Sequence, residues 1–174
     1  MRAIELVERI PTVTAATSAL EAAAVIARYG LSGLIVADGS GVPIAVVPGS
    51  QVLKLVVPRY VREDPALAHA YDEAGAQELC AKLADHTIAD LLTGDGVDRQ
   101  DIPSVLPEDT LVEIATVMVV SHTPLVIVRG KNGDYHGAIT FSKTMAAIAA
   151  AAGHENTSVT ARLASTEIAP VHEA

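Results

Sequence analysis

The chain has 174 residues, half of them hydrophobic, with a formal net charge of −9 and one cysteine, Cys80. This length suits one domain or two small units that share a core. The acidic balance argues against nucleic acid or an anionic membrane as a partner, because both are bound through Lys and Arg. A lone cysteine, no visible secretory signal and no apolar run long enough to span a bilayer predict a cytoplasmic protein without membrane insertion.

The first part of the chain carries the signals of a strand–helix–strand–strand–helix unit. Residues 12–14 predict a short strand. Ser18 and Glu21 form a capping box that predicts the start of a helix, and Gly30 predicts its end. The remaining predicted elements are a buried strand over 34–36, a turn over 38–41, a returning strand over 44–47 and a helix from Ser50.

Residues 57–87 have no counterpart in the rest of the chain. Asp64-Pro65 predicts a helix start, and Ala66, Leu67, Ala70, Ala74, Leu79 and Leu83 follow at roughly helical spacing. This spacing predicts one long helix or two short ones that pack on the core or on a partner chain. A surface connector without a further role is the alternative. A short helix over 87–92 and a Gly- and Asp-rich loop over 93–101 follow.

The second part of the chain repeats the first at a constant offset of 92 residues. Ile10-Pro11 falls on Ile102-Pro103, and Glu21 falls on Glu113. The repeat predicts a strand at 104–105, a helix that begins at the capping box of Thr110 and Glu113, strands over 125–128 and 137–140, and a helix over 141–152. A match over this span without a gap indicates two copies of one supersecondary unit.

The duplication predicts an α+β fold in which two βαββα motifs pack face to face around a pseudo-twofold axis. One motif alone exposes a face of its small sheet, and pairing buries both sheets. We expect a first motif at residues 1–57, a helical connector at 58–87, a second motif at 88–152 and a polar, loose tail at 153–174. Two equivalent clefts form where such copies meet, and these are the default sites for a small ligand.

The doubled pattern resembles a pair of CBS domains, the tandem often named a Bateman module. The resemblance rests on residues 18–36 and 41–47 of the first copy and on residues 110–118 and 135–140 of the second. It implies a regulatory module, not an enzyme, that senses an adenosine-containing ligand such as AMP, ATP or S-adenosylmethionine and requires no cofactor. It also implies a homodimer. The regulated target would be a separate chain, such as a transporter or a metabolic enzyme.

The resemblance also points to the ligand site. In nucleotide-binding members the last strand ends in Gly-x-x-Thr-x-x-Asp, whose aspartate binds ribose and whose threonine helps to hold phosphate. The aspartate is missing from both copies, which have Gln51 and Lys143 at that position. Gln51 retains a carbonyl acceptor for a ribose contact, whereas Lys143 has no acceptor.

Two interpretations stay open for the segment that joins the last strand and the last helix of the second copy. Lys143 with the hydroxyls of Thr140 and Ser142, at a helix N-terminus, would favour an anion. Alternatively, Lys143 points into solvent and the cleft is empty or closed. The complete set of candidate ligand-binding residues is Thr12, Val13, Ser32, Gly33, Leu34 and Gln51 in the first copy and Ser104, Val105, His122, Pro124, Leu125, Thr140, Ser142 and Lys143 in the second.

The apolar candidates fit an adenine between strands and an ordinary core equally well, and His122 fits a polar contact or a helix end. None of the six histidines stands at the spacing of a zinc site. Cys80 lies in a helical pattern and is predicted to be a small buried residue rather than a nucleophile. A ligand-free interaction scaffold is the alternative to a sensor, and a small enzyme is a third interpretation.

Overall fold

The structure is a computed structural model that describes residues 1–93 and 102–153. Its first sheet has the order β1-β2-β3, with β1 parallel to β2 and β2 antiparallel to β3. The elements are α1 (Ala3–Leu6), β1 (Thr12–Val13), α2 (Ala19–Tyr29), β2 (Gly33–Ala37), β3 (Pro43–Pro48) and α3 (Gly49–Val56). Ser18 caps α2 by accepting the N–H of Glu21 at 3.2 Å, which is one of the two bonds of the predicted capping box. Gly30 ends the helix with a φ of +60°, as the sequence predicts.

The connector differs from its prediction of one or two helices. It consists of α4 (Arg59–Glu63), a 3₁₀ helix (Pro65–Ala70), α5 (Glu73–Ala81) and a second 3₁₀ helix (Lys82–Asp85). Asp64 and Asp72 each cap a new helix start, through the N–H groups of Ala66 at 3.1 Å and Gly75 at 2.8 Å, and these caps divide the segment. The predicted contact positions Ala66, Leu67, Ala70 and Ala74 are exposed, and so is Cys80, which the helical pattern predicts to be buried.

The second motif repeats the first sheet, with the order β4-β5-β6 and the same strand directions. Its elements are α6 (Ile88–Thr93), β4 (Ser104–Val105), α7 (Leu111–Val120), β5 (Leu125–Arg129), β6 (Tyr135–Thr140) and α8 (Phe141–Ala151). The predicted loop over 93–101 and the predicted tail lie, apart from their first residues, outside the described residues. None of the helices in the described ranges is long and apolar enough to cross a membrane.

The two sheets share a buried seam. Ile35 and Val46 of the first sheet form one hydrophobic cluster with Leu125, Ile127 and Ala138 of the second. Ile35 and Ile127 are equivalent under the offset of 92, and so are Val46 and Ala138. The predicted α+β fold of two βαββα motifs that face each other is therefore confirmed.

The short helix that precedes each motif packs against the other motif. α1 buries Ala3 and Leu6 in the second core, and α6 buries Ile88 in the first. The two helices also make corresponding backbone hydrogen bonds to the other motif. The N–H of Ala3 donates to the carbonyl of Asp109 at 2.8 Å, and the N–H of Ile88 donates to the carbonyl of Thr17 at 2.9 Å. The division of the chain into motifs at residues 1–57 and 88–152 stays a prediction. Each of these ranges contains a short helix that packs in the core of the other motif.

Candidate functional site

A cavity of about 310 Å³ opens where the two motifs meet. The first motif contributes the segment before β1 and the turn from α2 into β2, and the second contributes the corner between β6 and α8. The lining residues are Glu8, Arg9, Ile10, Pro11, Tyr29, Gly30, Leu31, Ser32, Thr140 and Ser142. Three predicted ligand-binding residues, Ser32, Thr140 and Ser142, thus meet in one cavity although two different motifs supply them.

Thr140 holds the corner of the second motif together. Its hydroxyl oxygen accepts the N–H of Lys143 at 3.1 Å and so caps α8. The same hydroxyl donates to Oε2 of Glu8 at 2.9 Å. The backbone of Glu8 is fixed beside β6, because it donates to the carbonyl of Ala138 at 2.8 Å and accepts from the N–H of Ala138 at 3.1 Å. A carboxylate therefore stands at the start of α8.

Gly137 allows the segment that carries Glu8 to lie this close to β6. Its φ is +139°, a conformation that residues with a side chain rarely adopt. A Cβ at this position would lie 2.9 Å from the carbonyl oxygen of Glu8 and would overlap the side chain of Val7. The first motif has Ala45 at the equivalent position. The absence of a side chain at Gly137 thus helps to set where the Glu8 carboxylate stands.

The first motif also supplies an aromatic ring and a second charge to the cavity lining. Tyr29 is 53% exposed, and the guanidinium of Arg28 lies 5.8 Å from its ring centroid. Arg9 adds a positive charge next to Glu8 in sequence. The carbonyl of Ser32 accepts the N–H of Gly49 at 2.9 Å and is thereby used to hold the start of α3. The cavity therefore combines an exposed ring, hydroxyls and charges of both signs.

Lys143 does not line this cavity. It is half-buried and borders a separate pocket of about 320 Å³, together with Glu5, Leu6 and residues of α8. The structure thus separates the lysine from Thr140 and Ser142, with which the sequence groups it. The start of α8 presents its hydroxyls to one pocket and its ammonium-bearing side chain to another.

The second, pseudo-equivalent cleft is only partly within the described residues. Gln51 is half-buried on α3, and Pro48 begins this helix without a side-chain hydrogen bond, unlike Thr140 in the second motif. His122 is exposed and has a φ of +50° at the position equivalent to Gly30, so it ends α7. The counterparts of Glu8 and Arg9 are residues 100 and 101, which lie outside the described ranges.

Most of the other predicted residues serve packing. Val13 and Leu34 belong to the first core, Val105 to the second, and Leu125 to the seam. Gly33 lies against β3, where a Cβ would stand 2.9 Å from the oxygen of Val47. Two further residues, Thr12 and Ser104, are exposed on their short strands, and the carbonyl of Pro124 accepts the N–H of Phe141 at 2.8 Å.

The sequence did not single out three of the cavity residues, Glu8, Arg9 and Tyr29. Glu8 and Arg9 precede the repeat, which begins at Ile10, so the comparison of the two copies carried no information about them. Tyr29 had a usable signal, because it is one of only four tyrosines and stands directly before the helix-ending Gly30. Across residues 1–93 and 102–153, no group of His, Cys, Asp and Glu side chains is arranged to hold a metal ion.

Comparison with known proteins shows which protein family has this sequence pattern and this fold. The model of the CBS domain family matches residues 3–58. Among solved structures, a CBS domain-containing protein from Kribbella flavida DSM 17836 is 38% identical, and the match covers 85% of this chain and 98% of that one with a TM-score of 0.66. No curated protein matches the sequence.

Two more distant structures share the fold. CBSX2 of Arabidopsis thaliana in complex with AMP is 16% identical, with 87% of this chain and 98% of that one covered and a TM-score of 0.59. A CBS domain pair in complex with 5′-methylthioadenosine and S-adenosyl-L-methionine is 14% identical, with 85% and 99% covered and a TM-score of 0.57. Together with the Kribbella match, which extends over nearly all of that protein, these findings lead to one conclusion: this chain belongs to the family of CBS-domain proteins.

Proposed function

We propose that the chain is a regulatory module that binds an adenosine-containing small molecule in the cavity between the motifs and modulates a separate protein. The observation that carries this proposal is the cavity of about 310 Å³ to which both motifs contribute. A ligand there would contact both copies and would favour the packing that binds it better. Complexes of similar folds with AMP and with S-adenosyl-L-methionine support this ligand class.

The charge at the start of α8 selects among the candidate ligands. The hydroxyl of Thr140, which the family resemblance assigns to phosphate, already donates to Glu8 at 2.9 Å. A phosphate at this place would face a carboxylate, and like charges at this distance repel. S-adenosylmethionine has a positively charged sulfonium and no phosphate. We therefore rank it above AMP and ATP as the ligand of this cavity, with its base against the exposed ring of Tyr29.

Calorimetry with S-adenosylmethionine, AMP and ATP tests this proposal on the full chain. We expect the wild type to bind S-adenosylmethionine, and we expect Glu8→Gln to bind AMP about tenfold more tightly than the wild type does, because the change removes one negative charge. Glu21→Gln is the matched control, since it removes the same charge from an exposed position outside the cavity. Stronger binding of AMP than of S-adenosylmethionine by the wild type would contradict the ranking.

A ligand-free interaction scaffold is the second candidate. Both copies lack the aspartate that binds ribose in nucleotide-binding members of the family, and the apolar candidates Val13, Leu34 and Val105 pack in cores. Absence of heat with all three ligands, for wild type and Glu8→Gln alike, would remove the sensor and favour the scaffold.

The partners and the compartment belong to the same proposal. We propose a homodimer in the cytoplasm that acts on a separate transporter or metabolic enzyme without catalytic chemistry of its own. The family is generally regulatory rather than catalytic, which supports this role. The mass of the full chain in solution, measured by sedimentation, tests the homodimer independently of ligand binding.

A further inference from the structure

The hydroxyl of Thr140 has one hydrogen to donate, and a side chain of the protein already uses it. The hydroxyl donates to Oε2 of Glu8 at 2.9 Å. Its oxygen accepts the N–H of Lys143 at 3.1 Å and so caps α8. An anionic ligand group bound at Thr140 would need the same hydrogen. Binding of such a group and the bond to Glu8 therefore exclude each other.

Glu8 ends a segment, residues 2–8, that packs on the second motif and that we name the strap. At its far end, α1 buries Ala3 and Leu6 in the core of the second motif. At its near end, the backbone of Glu8 makes hydrogen bonds of 2.8 and 3.1 Å with the backbone of Ala138. The strap therefore connects the lining of the cavity to the hydrophobic core of the second motif.

The helix α6 is the counterpart of α1 in the first motif. Ala3 and Ile88, whose N–H groups make corresponding bonds to the other motif, are 85 positions apart. The same offset relates Leu6 to Leu91, and these side chains are only 5% and 8% exposed. All residues of α6 are described, and none of them lines the cavity. Only the helix at the start of the strap is thus followed by a residue that touches the candidate site.

We propose that the ligand of the cavity controls the docking of the strap through competition for the hydrogen of Thr140. S-adenosylmethionine has no phosphate, so it leaves Glu8 bonded, and its positive charge beside the carboxylate favours the docked strap. The phosphate of AMP takes the hydrogen and repels the carboxylate, so it favours release. This inference rests on the proposed function, because it needs a ligand in this cavity, and it gives the two ligand classes opposite effects.

The repulsion acts on the strap as a whole because the main chain at Glu8 lies close against β6. A Cβ at Gly137 would stand 2.9 Å from the carbonyl oxygen of Glu8, so the two segments are already in contact. The paired bonds with Ala138 fix the main chain from which the carboxylate projects. Release of residues 2–8 from β6 therefore relieves the repulsion by a phosphate.

Hydrogen exchange of the full chain without ligand, followed by NMR, tests the tether. Glu8→Ala removes the acceptor and should make exchange of the Ala3 and Ile4 amides, which donate to the second motif, about tenfold faster. Glu8→Gln is the matched control, because it keeps an oxygen acceptor and should exchange at nearly the wild-type rate. The amide of Ile88 in α6 should stay unchanged in both variants. Equal exchange in Glu8→Ala and the wild type would overturn the proposal.

The same amides of the wild type test the coupling to the ligand. Saturating S-adenosylmethionine should slow the exchange of Ala3 and Ile4, and saturating AMP should make it faster. Effects of the same sign from the two ligands, or exchange that neither bound ligand changes, would overturn the competition for Thr140.

Calorimetry tests the coupling from the other direction, because linkage between two equilibria is reciprocal. Leu6→Ala loosens the strap at the core and does not alter the cavity lining. We expect it to bind AMP about tenfold more tightly than the wild type. S-adenosylmethionine should bind only about twofold more weakly, because the strap is mostly docked already. Leu91→Ala, the equivalent loss in α6, should change neither affinity.

Two negative results have different meanings. If the wild type binds S-adenosylmethionine and Leu6→Ala has the affinities of the wild type, the coupling is wrong and the proposed function stands. If no variant binds either ligand, the proposed function is contradicted and the coupling with it.

Discussion

The two motifs have the same strand order, and equivalent positions of both form the seam between the sheets. They differ at the helix ends and helix faces that are exposed to solvent. The first motif begins α3 after Pro48, ends α2 at a glycine and has the second 3₁₀ helix of the connector, Lys82–Asp85, packed against α2 and α3. The second begins α8 after Thr140, has His122 in the turn that follows α7 and presents an open apolar groove between α7 and α8 in the described residues.

This difference teaches that the duplication preserved the core and let the corners diverge. The equivalent residues Ile35 and Ile127 are both fully buried in the seam, where each position must fit its counterpart. The corner residues touch cavities and solvent, so packing restrains them less. Function is therefore expected at the corners, and the second corner, with Thr140 bonded to Glu8, is the more specialised of the two.

The largest effect is expected from Gly137→Ala. The new Cβ would overlap Val7 and approach the oxygen of Glu8, and φ at +139° strains any residue with a side chain. We expect a loss of about 3 kcal/mol in the free energy of unfolding, measured with urea. The mirror change in the first motif, Ala45→Gly, should cost only about 1 kcal/mol. Equal costs would mean that the segment before β1 does not distinguish the two motifs.

An intermediate effect is expected at the ends of α2 and α7. His122 has a φ of +50° where the first motif has Gly30, and a left-handed conformation is strained for histidine. His122→Gly should raise the free energy of unfolding by about 0.5 kcal/mol, and Gly30→His should lower it by about 1 kcal/mol. Thermal denaturation of both variants measures this. A destabilising His122→Gly would show that the imidazole makes a contact worth more than the strain.

The smallest effect is expected at the capping glutamates and depends on pH. Oε2 of Glu113 accepts the backbone N–H of Thr110 at 2.7 Å, and this bond, with a second from the Thr110 hydroxyl, holds the pKa of the carboxyl below its usual value. A lowered folded-state pKa stabilises the protein above the unfolded pKa, about 4.3 for glutamate, and this stabilisation is lost as pH falls through the folded pKa.

The measurement is the difference in melting temperature between the wild type and Glu113→Gln at pH 7 and at pH 3. We expect the wild type to be slightly more stable at pH 7, by a small amount because Glu113 is exposed and screened by solvent. We expect the difference to be smaller at pH 3, because protonation of the carboxyl removes the stabilisation. Glu21→Gln in the first motif is the control and should show a smaller change in melting temperature. The hydrogen bond at that cap runs from the backbone N–H of Glu21 to the Ser18 hydroxyl and does not use the Glu21 carboxylate. If the difference for Glu113→Gln is as large at pH 3 as at pH 7, the ionised carboxylate is not the source of the stabilisation.

The sequence by itself determined the duplicated βαββα fold, because its signals are local. Apolar runs predict buried strands, and residues such as Ser18 and Gly30 fix helix ends through bonds within a few positions of the chain. The constant offset of 92 then required both copies to share one architecture. Local signals also misled in the connector. The spacing of its small apolar residues predicted one long helix or two short ones, whereas the caps at Asp64 and Asp72 divide the segment into shorter helices.

Only the tertiary structure decided which residues stand together at the candidate site. Glu8 and Thr140 are 132 positions apart and meet because α1 crosses to the second motif and Gly137 leaves room beside β6. Lys143 directly follows Ser142, yet the two residues border different pockets because successive side chains of an α-helix point about 100° apart. Contacts between distant segments depend on how whole elements pack, and no short-range pattern along the chain encodes that packing.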